Sequence, residues 1–253
     1  MTGHAHLLYR HGDSVVHRLP AHVKVTALLA FVLIVVSTSR QHYLAFAGFA
    51  ALLAVVAVVA QVPPRFIATR ALIEVPFLVF AAILPFVATG ERVDVLGLSL
   101  SSEGLLAAWN IAVKGTLGVV ASILLAATTD ARALLLGLQR LRLPARLVEI
   151  ASFMVRYADV VASDLHRMRI ARESRAFEAR HLGHLRVVAQ GAGALFVRSY
   201  ERGERVHMAM LSRGYSGAMP LSGAAPATRS DWATAAALPV AAVLIALTLE
   251  VLR

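Results

Sequence analysis

Two stretches of this chain, Ala171-Arg172-Glu173-Ser174-Arg175-Ala176-Phe177 and Ala209-Met210-Leu211-Ser212-Arg213-Gly214-Tyr215, share the pattern Ala-x-x-Ser-Arg-small-aromatic. A guanidinium does not deprotonate in proteins and presents a planar fork of donors that matches a carboxylate. Arg175 and Arg213 lie 38 residues apart, each near the expected C-terminal end of a helix. Two such heads would make a two-point dock for an acidic groove on a soluble partner. The small residues Ala176 and Gly214 would allow close backbone approach, and Gly214 could also close its helix. The plainer reading of one copy alone is a basic helix end complementing the dipole. Repetition within one segment favours docking.

Other residue types that could do chemistry are sparser. Glu74, close to Pro76, and Lys114, with Asn110 one turn before it, fall in otherwise apolar runs, where a charge marks a functional hypothesis by default. Glu74 is expected near the cytoplasmic end of its run, turned toward Arg70. Lys114 is expected about ten residues of helix deeper, roughly 15 Å, too far for direct pairing. It is assigned to an internal hydrogen-bond network or to a partner subunit, and Arg156 is taken as a structural or partner contact. Five of the ten histidines, His4, His6, His11, His17 and His22, sit in the first 22 residues. His4 and His6 could both reach a borderline metal such as cobalt or nickel. Without carboxylate or Cys company they read rather as a solvated tail, and no metal site is assigned. There is no Gly-x-x-x-x-Gly-Lys-[Ser/Thr] loop, so an ATP site would belong to another protein. No catalytic residue and no cofactor is assigned.

The elements that must position these residues are set by hydropathy. The apolar share is 58% of 253 residues, above the 45–50% of ordinary soluble domains. Apolar runs at Val23–Thr38, Tyr43–Ala60, Leu72–Val87, Leu105–Thr128 and Ala233–Leu252 approach the length a bilayer demands. The fold class expected is therefore all-α, a polytopic membrane protein of about five transmembrane helices. Residues 1–129 would hold four of them, 130–231 an Arg-rich cytoplasmic region of long helices, and 232–253 the last span. Helices are expected over Ala131–Leu141, from Ala145 to about Ala179, and from His184 to about Leu211, broken by Pro144 and by a Gly/Pro-rich linker after Ser216. Leu147–Val161 is apolar enough to dip into the membrane, but Arg156, Asp159 and Asp164 place it at the interface or packed on other helices.

Charge gives the orientation. Sixteen arginines fall between Asp130 and Asp231, with Arg10, Arg18, Lys24, Arg65 and Arg70 on the same side, against Arg40, Arg92 and Arg253 on the other. The N-terminus and the 130–231 region are thus expected in the cytoplasm. The net charge of +10 follows this topology instead of lining a face with interleaved aromatics, so no nucleic acid is expected. Cysteine is absent, which excludes disulfides and thiolate metal sites.

With these residues in place the chain resembles the transmembrane T component of energy-coupling-factor transporters, and within it the cobalt-type CbiQ family. That family's two cytoplasmic coupling helices end in Ala-Arg-Gly-like motifs, matched here by Ser174-Arg175-Ala176 and Ser212-Arg213-Gly214, with Ser for Ala twice and Ala176 for the first Gly. His17-Arg18-Leu19-Pro20-Ala21-His22-Val23-Lys24, Thr128-Thr129-Asp130, Leu141-Arg142-Leu143-Pro144 and Val155-Arg156-Tyr157 carry the likeness along most of the chain. The resemblance implies two ATP-binding cassette ATPase subunits paired with Arg175 and Arg213, a substrate-binding membrane subunit of the cobalt type, and a prokaryotic cell-membrane location. It implies no catalysis by the chain itself. Nickel, biotin or another vitamin is the alternative cargo. A membrane enzyme would need clustered His, Asp or Glu at one face, and a secondary carrier two related halves with broken helices. Neither has reason to repeat the Ser-Arg motif on cytoplasmic helix ends.

Overall fold

The computed structural model describes residues 9–89, 91–95, 98–175, 185–217 and 226–251. The chain divides into two compact units, one formed by residues 8–137 and 224–253 and the other by 1–7 and 138–223.

The first unit is built from apolar helices. A short helix α1 (Val15–Arg18), capped by the Ser14 hydroxyl, precedes α2 (Ala21–Ser37) and α3 (Tyr43–Val59). Next come α4 (Pro64–Ala71), a 3₁₀ turn at Leu72–Glu74 and α5 (Val75–Val87), which together make one helical run. The strands β1 (Arg92–Val95) and β2 (Leu98–Ser101) lead into α6 (Ser102–Thr128) and α7 (Ala131–Arg140), which belongs to this unit as far as Gly137, and the unit closes with α10 (Arg229–Val251). Among the described residues three stretches, Pro64–Val87, Ser102–Thr128 and Arg229–Glu250, are long and apolar enough to cross a membrane. The other two apolar helices, Ala21–Ser37 and Tyr43–Val59, are shorter. At 17 residues each they reach about 25 Å, a little under the hydrocarbon thickness.

The third run starts at Pro64, eight residues earlier than the Leu72 expected. Pro63 and Pro64 open a helix at its first turn, where the missing N–H costs nothing. Arg70 then rides on the helix with its guanidinium 4.8 Å from the Phe66 ring centroid. A short hairpin follows this run, an element the hydropathy pattern does not predict. β1 and β2 pair antiparallel with Arg92 opposite Ser101, and the alternation Val93-Asp94-Val95 and Leu98-Ser99-Leu100 is its signal. Ser101 then accepts a hydrogen bond from the Gly104 N–H at 3.3 Å and starts α6.

The core follows helical spacing. Phe46, Phe49, Leu53 and Ala57 of α3 meet Phe31 and Val35 of α2 and Leu117, Ala121 and Leu124 of α6. The Phe49 ring lies edge-on to Phe31 at 6.0 Å and to Phe46 at 6.2 Å, an arrangement the ring quadrupole favours. Phe77, Phe80, Ile83 and Phe86 on α5 are instead exposed, as lipid-facing residues are. A helix whose outer face meets acyl chains has no reason to hide it.

The second unit is an antiparallel pair, α8 (Ala145–Glu173) and α9 (Leu185–Leu211). α8 stops at Glu173, short of the Ala179 expected. None of its stretch Leu147–Val161 qualifies as a span among the described residues, and Arg156 on it is exposed.

Candidate functional site

The two Ser-Arg copies take the same local form. At the end of α8 the Ser174 N–H donates to the Ile170 carbonyl at 2.9 Å and the Arg175 N–H to that of Arg172 at 3.1 Å. At the end of α9 the Ser212 N–H donates to Met208 at 3.0 Å and the Arg213 N–H to Met210 at 3.0 Å. Each serine hydroxyl turns back on the alanine three residues earlier, Ser174 Oγ to the Ala171 carbonyl at 3.1 Å and Ser212 Oγ to that of Ala209 at 3.0 Å. The Ala-x-x-Ser spacing thus builds a tightened last turn that ties up carbonyls a helix end leaves open. The second copy is closed further: Gly214 sits at φ +82°, and the Tyr215 N–H reaches back to Met210 at 3.1 Å. That is a Schellman closure, which a residue with a Cβ would strain. Arg175 and Arg213 are both exposed, and neither guanidinium is paired among the described residues. Ala176 lies outside the described residues.

What holds the two ends apart is a chain of polar ties between the helices. Arg202 Nη2 donates to Asp164 Oδ2 at 2.9 Å, and Arg167 donates to the other carboxylate oxygen. These hydrogen bonds, from Arg167 first and Arg202 second, hold the Asp164 carboxyl below the usual carboxylate range. Tyr215 Oη donates to Glu149 Oε2 at 3.0 Å, which pushes the phenol pKa up. Position 149 faces 215 and 164 faces 202, so the helices run antiparallel and their C-termini point away from each other. Arg213 is level with about residue 151 of α8, which places the two arginine heads about 35 Å apart along the axis. One groove cannot take both; two separate grooves can.

Most of the chain, residues 12–222, matches the family described as Cobalt transport protein, CbiQ. The chain belongs to the CbiQ family. It is 31% identical over 168 residues to the Cobalt transport protein CbiQ of Rhodobacter capsulatus, covering 66% of this chain and 67% of that one. It is 26% identical over 223 residues to the Energy-coupling factor transporter transmembrane protein EcfT of Bacillus selenitireducens, covering 83% and 82%. An uncharacterised protein of Methanocaldococcus jannaschii is 24% identical over 220 residues, covering 83% and 74%.

Within this CbiQ-family chain the intramembrane charges have partners that the sequence did not disclose. Glu74 does not snorkel outward. It is 4% exposed, in the 3₁₀ turn near the middle of the Pro64–Val87 run, and its Oε1 accepts from Thr116 Oγ1 at 3.1 Å. A Cβ at Gly115 would lie 2.8 Å from that oxygen, so the bare backbone there is what lets the carboxylate in. Glu74 is thus beside residues 115 and 116 of α6, and the ten-residue difference in depth from Lys114 does not exist. The error came from starting the third span at Leu72. The Lys114 ammonium points elsewhere, donating to the Val36 carbonyl at 2.7 Å and the Thr38 carbonyl at 2.9 Å at the C-terminus of α2.

Lys24, which sequence reasoning used only as a flanking charge, is the counterpart. It is buried in the first turn of α2 and donates to the carbonyl of Thr128, the last residue of α6, at 2.8 Å. Each helix thus supplies a lysine to the other's C-terminal carbonyls, where dipole and open acceptors both favour a cation. A lone lysine in the first turn of an apolar helix was the available signal. Of the remaining residues, Arg156 is exposed on α8, and His4 and His6 lie outside the described residues. Among the described residues no group of three or more His, Cys, Asp or Glu is placed to hold a metal ion.

Proposed function

We infer that this T component couples ATP-driven motion in two ATP-binding cassette subunits to a substrate-binding membrane subunit, and that its cargo is cobalt ion. The observation carrying this is the pair of exposed arginines, Arg175 and Arg213, at opposite ends of one braced antiparallel helix pair. Each is a fixed cation at the tip of a closed turn, suited to enter an acidic groove on a separate subunit. The Rhodobacter capsulatus relative, named a cobalt transport protein, supports the cargo. The Bacillus relative, named an energy-coupling factor transmembrane protein, supports the role. On this reading the N-terminus and the α8–α9 pair face the cytoplasm, the chain hydrolyses nothing, and ATP is hydrolysed by its partners.

The test is reconstitution. The chain, its co-purifying ATPase subunits and the co-purifying membrane subunit are placed in liposomes, and uptake of radioactive cobalt and nickel is followed with ATP. ATP-driven cobalt uptake that the Arg175→Ala, Arg213→Ala double variant abolishes supports the reading. Full uptake by that variant removes the docking assignment. Uptake of nickel or of a vitamin in place of cobalt replaces the cargo and leaves the coupling role standing.

A further inference from the structure

One groove of the membrane unit has the shape and polarity of an amphiphile. It encloses about 410 Å³, within the range of small-molecule sites. Its walls are Val16 of α1, Leu28 of α2, Val56 of α3, Leu125 of α6, and Ala237 and Ala241 of α10. The two alanines, one helical turn apart, leave the space open. On the α3 side Val55 and Val59 are 59% and 45% exposed, so the groove opens laterally to the surrounding lipid.

Its polar end is cationic. Lys24 lines that end with Thr128. An ammonium carries three donors; here one meets the Thr128 carbonyl at 2.8 Å and a second lies 3.5 Å from the His17 carbonyl. The exposed Arg18 follows His17 directly, and its neighbour Leu19 lines the groove. From the level of Thr128 the walls descend along α6 to Ala121. That is seven residues, about 10 Å, against the roughly 15 Å of hydrocarbon in one leaflet. The groove thus starts where headgroups lie and ends before the mid-plane.

We propose that this groove holds one acyl chain of an anionic phospholipid, with the phosphate resting against Arg18 and the free donor of Lys24. The charge favours a lipid of net negative headgroup over a zwitterionic one, as basic clefts between membrane helices do. This site is independent of the coupling role.

The full-length chain is reconstituted in nanodiscs of equal parts dioleoyl phosphatidylglycerol and dioleoyl phosphatidylcholine. It is then extracted into mild detergent, and the retained lipid is counted by native mass spectrometry. One phosphatidylglycerol per chain is expected. Ala237→Phe, which fills the groove from an exposed position, should remove it, and Arg18→Glu should cut the preference for phosphatidylglycerol by about fivefold or more. Arg18→Glu keeps the test open should Ala237→Phe fail to fold. Equal retention of both lipids, or unchanged retention in Ala237→Phe, overturns the proposal. So does efficient cross-linking of Val55→Cys to a co-purifying membrane subunit in native membranes, since a partner helix would then fill the groove; the chain's own lack of Cys makes that site unique.

Discussion

Single residues carry the sharpest expectations. If Arg175 and Arg213 dock on carboxylates, Arg-to-Lys changes should be nearly as damaging as Arg-to-Ala, because a point charge does not reproduce the fork. Each single alanine change should cost about 2–5 kcal/mol of partner affinity where the pair is desolvated, read as a shift in the ATPase concentration needed for half-maximal binding to the chain in nanodiscs. The membrane charges predict differently. Lys114→Met removes two hydrogen bonds from an ammonium at 2.7 and 2.9 Å, and should lower stability in detergent by about 2 kcal/mol without touching ATPase affinity. Thr116→Val should cost about 1 kcal/mol. Adding Gly115→Ala should cost less than the sum of the two, since both act on the one Glu74 contact. The sequence marked Lys114 and Glu74 because a charge in an apolar run is visible from composition. It did not yield their partners, because those are a hydroxyl and backbone carbonyls contributed by helices 42 to 78 residues away.

At the scale of elements, α8 and α9 were legible from Pro144, the Arg-rich helical composition and the repeated motif. Their pairing was not, since the Asp164–Arg202 and Glu149–Tyr215 ties join positions 38 and 66 residues apart and carry no local signature. The hairpin is not legible, because two four-residue strands offer too short an alternation to stand out. The ties give the pair a pH window. The Asp164 pKa is lowered on folding, so its contribution is present above the ordinary value of 3.8 and is lost as pH falls through the lower folded value. The Tyr215 pKa is raised, so its contribution is present below the ordinary value of 10.0 and is lost as pH rises through the higher folded value. Amide exchange of α8 and α9 should therefore be slowest between about pH 4 and pH 10, after correction for intrinsic rates. Tyr215→Phe should remove the alkaline edge and leave the acid one.

For the whole molecule, hydropathy made the all-α membrane class readable, since five apolar runs in 253 residues leave few alternatives. The division into two units was less readable. Residues up to 137 of α7 belong with the membrane helices, because Gly137 lies against the His22 backbone, a contact that the amphipathic, arginine-bearing sequence of α7 does not announce. Orientation, read from charge alone, has a direct check. Single cysteines at Asp94 and Ser216 should behave oppositely toward an impermeant maleimide on intact cells, Asp94→Cys labelled and Ser216→Cys protected until the membrane is opened. The two lysine caps carry a mechanical meaning at this scale. They are pins set 14 residues apart on α6, about 21 Å, and a pair of rods pinned twice neither slides nor tilts without breaking a hydrogen bond to an ammonium. α2 and α6, with α3 seated on them through Phe49, therefore form a stiff chassis. α5 is packed closely on α6 of that chassis, where Gly104 lets the Pro85 backbone approach, and Glu74 fastens the 3₁₀ turn at its start.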